Sequence, residues 1–379
     1  MYKPRMRIAG LYAGIGGFEL GFQGAGGTTV LLADKDDYCR AVLKARFTEA
    51  TVVGDVAEIH DLPSSLDIVT AGFPCQNLSM AGDKTGLHGS KTGDVMSMFE
   101  LLGRHRIGTL VLENVYFLLN VDQGRAMSRL VSLVESLGYA WAYRVVDLRS
   151  FGIPQRRRRV IFVASSEFDP ATVLFQDDDG CAPEAALSLK AALGFYWTEG
   201  RSGVGLVADA IPPLKAGSTL GIPSPPAVLF SDGRVMVPSL KACERLQGFP
   251  VSWTDVDFSA GRSPRWRMLG NAMPVPIAEW VAKCLTTSQP ASPSRESGDL
   301  RAHKWPGAAF GRSGTKRAVS VSEYPVAAQA TSIEAYLDDD WRHLSRRALD
   351  GFIRRAEAST LRFPDGFLNS LRRARAHAS

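Results

Sequence analysis

The chain has 379 residues, 45% apolar and 22% charged, which is enough for one large core with a smaller domain beside it. No apolar run is long enough to span a bilayer, and Lys3, Arg5 and Arg7 lead into a strand and glycine turn, not a signal-peptide core. Net charge is +5, and residues 286–379 carry all of it: 15 basic against 10 acidic there, 29 against 29 elsewhere. Nucleic acid is therefore a permitted ligand, to be met in the main body by a local patch of charge. The five cysteines (39, 75, 181, 243 and 284) lack metal-ligand spacing, and the histidines are scattered. These features predict no metal site, no disulfide framework, a reducing cytoplasm and no membrane partner.

Residues 7–12 read as a first strand, followed by Ala13-Gly14-Ile15-Gly16-Gly17 and a helix from Phe18. Glycines at such a turn let backbone approach a ligand closely. A second apolar run, 29–33, ends at Asp34, twenty residues after Gly14. Strand, glycine turn, helix, strand and acid is a nucleoside-binding order, with the acid's two oxygens suited to the two ribose hydroxyls. The turn lacks the third glycine of the dinucleotide fingerprint, and no Gly-Lys-Ser/Thr loop is present. An adenosine cofactor without pyrophosphate fits, with S-adenosylmethionine the obvious candidate. A helix over 38–47 and a strand ending at Val53 lead to Asp55, placed to accept from an adenine amino group or to serve as a solvated turn residue.

The apolar strand 67–70 runs into Ala71-Gly72-Phe73-Pro74-Cys75-Gln76-Asn77-Leu78-Ser79. Alone, Cys75 would read as a small buried hydrophobe. At the carboxyl end of a parallel strand it faces the crevice where open α/β sheets bind ligands. Residues 82–93 are glycine-rich and polar, a loop over a site. A helix over 94–106 precedes the strand 109–112, which runs into Glu113-Asn114-Val115. A carboxylate at the end of a buried strand is desolvated and can hold a proton near neutrality. A helix (125–137) and a strand (139–148) lead to Gln155 and the run Arg156–Arg159, which enters a further strand. Alternation predicts that Arg157 and Arg159 share one face, Arg156 and Arg158 the other.

From 168 to 237 periodicity collapses among prolines and glycines, the mark of a separate irregular domain. Helices follow at 239–247 and 275–285, with Gly248-Phe249-Pro250 and Gly270-Asn271-Ala272-Met273 between them. Residues 286–298 read as a linker, 304–319 as extended chain, and 332 onward as a basic amphipathic helix with Ile333, Tyr336, Leu337, Trp341, Leu344 and Phe352 on one face, an ordinary docked helix with a solvated face in preference to a phosphate-touching tail.

With these motifs in this order, the sequence resembles the DNA cytosine-5 methyltransferase family from Ile8 to Leu285. The resemblance implies an α/β fold: a doubly wound Rossmann-like sheet with a small irregular target-recognition domain. It gives a catalytic domain at 1–167, target recognition at 168–237, a return to the catalytic domain at 238–285, a linker or extended segment at 286–331 and a helical basic extension at 332–379. Cys75, Glu113, Arg157 and Arg159 become the catalytic set. Tyr12, Ala13, Gly14, Ile15, Gly16, Gly17, Asp34, Lys35, Asp55, Val56, Pro74, Asn271 and Ala272 become the site for S-adenosylmethionine, which leaves as S-adenosylhomocysteine. Phe73, Gln76, Ser79, Gln155, Thr219 and Leu220 become contacts to DNA or the target base. Gly10 stands where the family commonly has an aspartate, and Lys35 and Lys91 also depart from its pattern.

The implied partners are double-stranded DNA and a cognate restriction endonuclease, the latter decided by no residue here, with a monomeric chain in the nucleoid-bearing cytoplasm. The chemistry explains the residue types. A thiolate adding at carbon 6 makes carbon 5 of cytosine nucleophilic, and a free thiol of pKa about 8.5 is partly ionised near neutrality. A protonated Glu113 answers charge at ring nitrogen 3, and the base must leave the duplex to be reached. A relative acting on transfer RNA and a non-catalytic cytosine-binding module are the alternatives.

Overall fold

The computed structural model describes residues 6–73, 93–183, 186–201, 203–217, 225–258, 264–287, 296–300 and 305–377. It divides into two compact units: Met1–Asp147, Arg158–Cys181 and Met273–Ala327 in the first, Leu148–Arg157, Ala182–Ala272 and Ala328–Ser379 in the second. In chain order the strands of the first unit begin with β1 (Arg7–Leu11), β2 (Thr28–Ala33), β3 (Thr51–Val53), β4 (Ile68–Gly72), β5 (Thr109–Val115), β6 (Ala140–Asp147) and β7 (Arg158–Ser165). The second unit holds β8 (Leu193–Phe195), β9 (Val207–Ala208), β10 (Ala227–Leu229) and β11 (Val235–Val237). The chain returns to the first for β12 (Glu296–Asp299), β13 (Ala308–Arg312) and β14 (Thr315–Val319), and to the second for β15 (Arg342–His343).

The first unit is a ten-stranded sheet in the order β12-β14-β13-β6-β7-β5-β4-β1-β2-β3. Strands β1 to β5 pair in parallel, and β1 lies between β2 and β4, so the order reverses there. That reversal opens a crevice at the strands' carboxyl ends, the usual ligand position in such sheets. Ile8, Leu11, Val69, Leu110 and Leu112 are buried, as strands covered on both faces require. Helix α1 (Gly17–Gly24) packs on the helix Val275–Thr287, and helix α2 (Asp37–Arg46) is capped by Asp36, whose side chain accepts from Tyr38 N. Strand β7 is antiparallel to both β5 and β6. The expected α/β fold is thus present.

The units differ from the expected boundaries. Residues 168–181 stay with the large sheet, and 238–272 belong with the irregular unit. The segment read as linker and extended chain adds β12 to β14 to the edge of the large sheet, with β13 antiparallel to β6. The basic extension is docked by its apolar face: β15 pairs with β11, and Leu349, Phe352, Phe367 and Leu371 complete the core under the sheet β15-β11-β10-β8-β9. Nor is 333–352 one helix. A 3₁₀ turn at Ile333–Tyr336 is followed by β15 and then a helix at Arg346–Glu357. The break falls at Asp338-Asp339-Asp340, where Asp338 Oδ1 accepts from Asp340 N and offers the backbone a turn in place of a helix.

Arg144 in β6 is fully buried, donates to the carbonyls of Ser322, Leu174 and Asp177, and pairs with Asp178 at 2.6 Å. It staples two connecting segments to the sheet. Arg144→Ala takes the donor from three carbonyls and the cation from Asp178, and we expect a loss of about 3–5 kcal/mol in urea unfolding; a loss below about 1 kcal/mol would refute the staple.

Candidate active site

The glycine turn begins with a non-glycine residue in the left-handed region: Tyr12 has φ 53°, a strained conformation held by its surroundings. Gly14 (φ 58°) and Gly16 (φ 84°) follow. Nothing lies within 4 Å of where a Cβ on Gly14 would stand, so the turn is open there. At Gly17 a Cβ would be 2.1 Å from Met273 O, so that glycine serves close packing beneath the turn. Ala13 N donates to Ala33 O at 3.0 Å, and Ile15 is buried.

Asp34 ties the turn to β2. Its Oδ2 accepts from Gly14 N at 2.8 Å and its Oδ1 from Asp36 N at 2.9 Å. Each carboxylate oxygen has a second lone pair with which to meet a hydroxyl. Burial raises its pKa from the ordinary value, against the two backbone N–H donors. Lys35 is exposed. Asp55 caps the 3₁₀ turn Val56–Glu58 through Ala57 N at 3.0 Å, and Val56 is buried in the core.

At the end of β5, Glu113 Oε1 lies 2.6 Å from Arg159 Nε. The register explains the meeting. Arg159 in β7 stands opposite Val115, so its side chain shares a face with Glu113 two residues earlier. On the other side Glu113 pairs with Gly72 of β4, and a Cβ there would sit 3.4 Å from Glu113 Oε2. Asn114 turns to the opposite face and donates from Nδ2 to Phe73 O at 2.8 Å, so the start of the cysteine loop is held by the neighbour of the glutamate. Arg158 takes the face opposite Arg159, paired with Glu323 and stacked 3.6 Å from the centre of the Tyr116 ring. Cys75 itself lies outside the described residues, as do Pro74, Gln76, Ser79, Thr219, Leu220, Lys91 and the rest of the glycine-rich loop at 82–92.

Several expected contact residues have structural work instead. Arg157 precedes β7, so strand alternation does not govern it. Fully buried within the second unit, it donates to Leu214 O (2.9 Å), Gly270 O (3.0 Å) and Ala272 O (2.8 Å). Gln155, expected to touch DNA, is also fully buried: Nε2 donates to Leu246 O and Oε1 accepts from Leu214 N. Phe73 has its ring in the core of the first unit, so only its backbone faces onward. Asn271 is exposed at the end of the helix Arg265–Asn271, while Ala272 is buried with its carbonyl taken by Arg157.

One residue was missed by sequence reasoning. Glu19, in the first turn of α1, is buried, and its Oε1 accepts from Thr70 Oγ1 of β4 at 2.9 Å. A Cβ on Gly10 would fall 2.1 Å from that same oxygen. Here α1 supplies the acid beneath the turn, and an aspartate at position 10 would have no room beside it. The absent aspartate was the available signal. Burial pushes the Glu19 pKa up to about 7.

Comparison with known proteins gives the family and the fold. Residues 6–179 match the family model described as C-5 cytosine-specific DNA methylase. The Type II methyltransferase M2.BsuMI of Bacillus subtilis is 41% identical, over 98% of this chain and 98% of its own length. M.NgoBI of Neisseria gonorrhoeae, also a Type II methyltransferase, is 29% identical over 76% of this chain and 95% of its own. Among solved structures, Spodoptera frugiperda DNMT2 superposes with a TM-score of 0.53 at 15% identity, over 74% of this chain and 99% of its own. The S. pombe Dnmt2 methyltransferase gives 0.51 at 15% identity, over 74% and 98%. At such identities the two structures speak for the fold.

Because its pKa is raised in the fold, Glu19 supports stability fully below about 4.5 and loses that support as pH rises through about 7. At about 1.4 kcal/mol per pKa unit, the difference in pH dependence between parent and Glu19→Gln should reach about 3 kcal/mol over that window. Denaturant midpoints between pH 4.5 and 8 measure it, and parallel curves for the two proteins would contradict the assignment.

Proposed function

The chain belongs to the C-5 cytosine-specific DNA methylase family, and from that premise we propose that its active site is the crevice at the carboxyl ends of β1, β4 and β5. The enzyme methylates carbon 5 of cytosine in DNA, with S-adenosylmethionine as donor. The carboxylate ion pair at 2.6 Å between Glu113 and Arg159, beside the strand that leads to Cys75, carries the assignment of the site.

The turn fits a nucleoside. It is open over Gly14, its backbone is locked to Asp34, and each Asp34 oxygen keeps an acceptor site. Residues 12–17 and Asp34 would hold the donor's backbone-facing and ribose groups, with Asp55 toward the adenine. Bound there, S-adenosylmethionine supplies an electrophilic methyl group. Cys75, two residues after the anchored Phe73, is the nucleophile. Its thiolate forms a bond to carbon 6 of the cytosine, and the ring electrons move toward carbon 5 and nitrogen 3. Glu113, protonated as the base binds, donates a hydrogen bond to nitrogen 3 and so offsets the charge that addition creates. Arg159 holds Glu113 in place and places its guanidinium toward the exocyclic oxygen. Carbon 5, carrying the methyl group, then loses its proton to water, the electron pair of that C–H bond re-forms the 5,6 double bond, and the bond between Cys75 and carbon 6 breaks with the sulfur leaving as thiolate.

None of these atoms can be met inside a duplex, so the substrate is double-stranded DNA with the target base turned out. The second unit reads the flanking sequence. Arg157 and Gln155 are positioning residues within it, each bonded to backbone of segments distant in the sequence. The enzyme works as a monomer, and a restriction endonuclease of the same specificity accompanies it, as Type II methyltransferases occur in such systems.

Duplex carrying 5-fluorocytosine tests the nucleophile, because fluorine cannot leave as a cation and elimination stalls. With donor present, the parent should form a denaturation-stable protein–DNA adduct, and Cys75→Ala should form none; an adduct in the variant would overturn the assignment. Arg159→Gln should reduce kcat on unmodified duplex by about 10²–10³, the typical effect of removing a donor to developing charge. An unchanged kcat would remove Arg159 from the site.

A further inference from the structure

We infer that the exposed arginine face of the helix Arg346–Glu357 and its flanks is a second contact surface for duplex DNA, binding phosphates without regard to sequence. The inference rests on the reading that duplex DNA is the substrate, and it concerns a part of the chain to which the motifs assign no role. From Arg342 to the end the chain has nine arginines, no lysine and three acids. The acids do not neutralise the excess. Asp350 pairs with Arg375 at 2.5 Å and Glu357 with Arg372 at 2.6 Å, while Asp365 is exposed. Arg355 is used by the fold, donating to Glu199 O and Trp197 O. Arg342, Arg346, Arg347, Arg354, Arg362 and Arg373 are exposed and have no ion-pair partner among the described residues.

The helix makes this arrangement one-sided. Leu349, Phe352, Ile353 and Ala356 face the core of the second unit. Arg347 and Arg354, seven residues and about 10 Å apart along the axis, share the opposite face. With Arg346, Ser345, Asp350 and Gly351 they line a shallow open cleft. An ordinary solvated helix face mixes charges of both signs at i, i+4 spacing, which stabilises it. Here the one acid on that face, Asp350, is paired with Arg375, so Arg346, Arg347 and Arg354 leave the face with an excess of positive charge that suits an external polyanion. Arginine is suited to that partner, since its planar fork matches phosphate and it is weakly hydrated. Because β15 and this helix are built into the same small sheet and core, the cationic face is fixed to the sequence-reading unit, not tethered to it.

The test is the salt dependence of binding to a non-cognate duplex between 50 and 200 mM salt. Each phosphate contact contributes about 0.9 to the slope of log K against log salt. The triple variant Arg346→Gln, Arg347→Gln, Arg354→Gln should lower the slope by about 2–3 and raise KM for DNA. The triple lysine variant, which keeps the charge, should retain most of the parent slope. Slopes and KM equal in parent and glutamine variant would overturn the inference. So would equal losses in the lysine and glutamine variants, which would point to folding. A parent that methylates no duplex at all would instead remove the functional reading beneath it.

Discussion

The site depends on one ion pair made possible by one antiparallel strand. Were β7 parallel to β5, residues next to Val115 would come from a different part of the chain. Running antiparallel, β7 sets Arg159 opposite Val115 and hence on the face of Glu113. A carboxylate buried at that depth needs a cationic or hydrogen-bonding neighbour, and the guanidinium at 2.6 Å supplies it. From that pair the geometry spreads outward: Gly72 leaves room for the second oxygen, Asn114 fixes Phe73, and the chain enters the Pro-Cys loop from a determined point. The glycine turn is determined separately, by backbone donors from Gly14 and Asp36 on Asp34.

The adjoining arginines in the chain show how one run of a single residue type is divided among different tasks. Arg159 meets the glutamate, Arg158 leaves by the other face to Glu323 and Tyr116, and Arg157 binds three carbonyls in the second unit. Arg156 donates to the carbonyls of Gly205 and Leu206. A guanidinium fork with five N–H groups can satisfy several carbonyls at once, as Arg157 does. Gln247 acts similarly, donating to Leu269 O. Motif residues outside the crevice thus hold backbone in place.

The local signals were legible where chemistry and neighbouring sequence coincide. The strand, turn, helix and acid from Arg7 to Asp34 could be read because each element announces itself within a few residues, and Glu113 because an apolar run ended on it. Arg157 could not be placed, since its partners lie 57 to 115 residues away. The strands at 308–319 were visible as extended chain, but pairing with β6 is a tertiary fact with no local trace. The extension beyond 332 misled because apolar spacing of a 3₁₀ turn, a short strand and a helix imitates one helical face when the three aspartates between them are given too little weight. Glu19 was hidden in plain view: a buried acid on a helix looks like any exposed one until Gly10 and Thr70 are seen beside it.

The central claim is that Glu113, held by Arg159, completes a site for carbon-5 methylation of DNA cytosine. Bisulfite sequencing of plasmid from cells expressing the parent and Glu113→Gln addresses it most directly, because it reports both activity and target. The account predicts cytosines protected from conversion at one short recurring sequence in the parent, and none in the variant. Equal protection in both would contradict it.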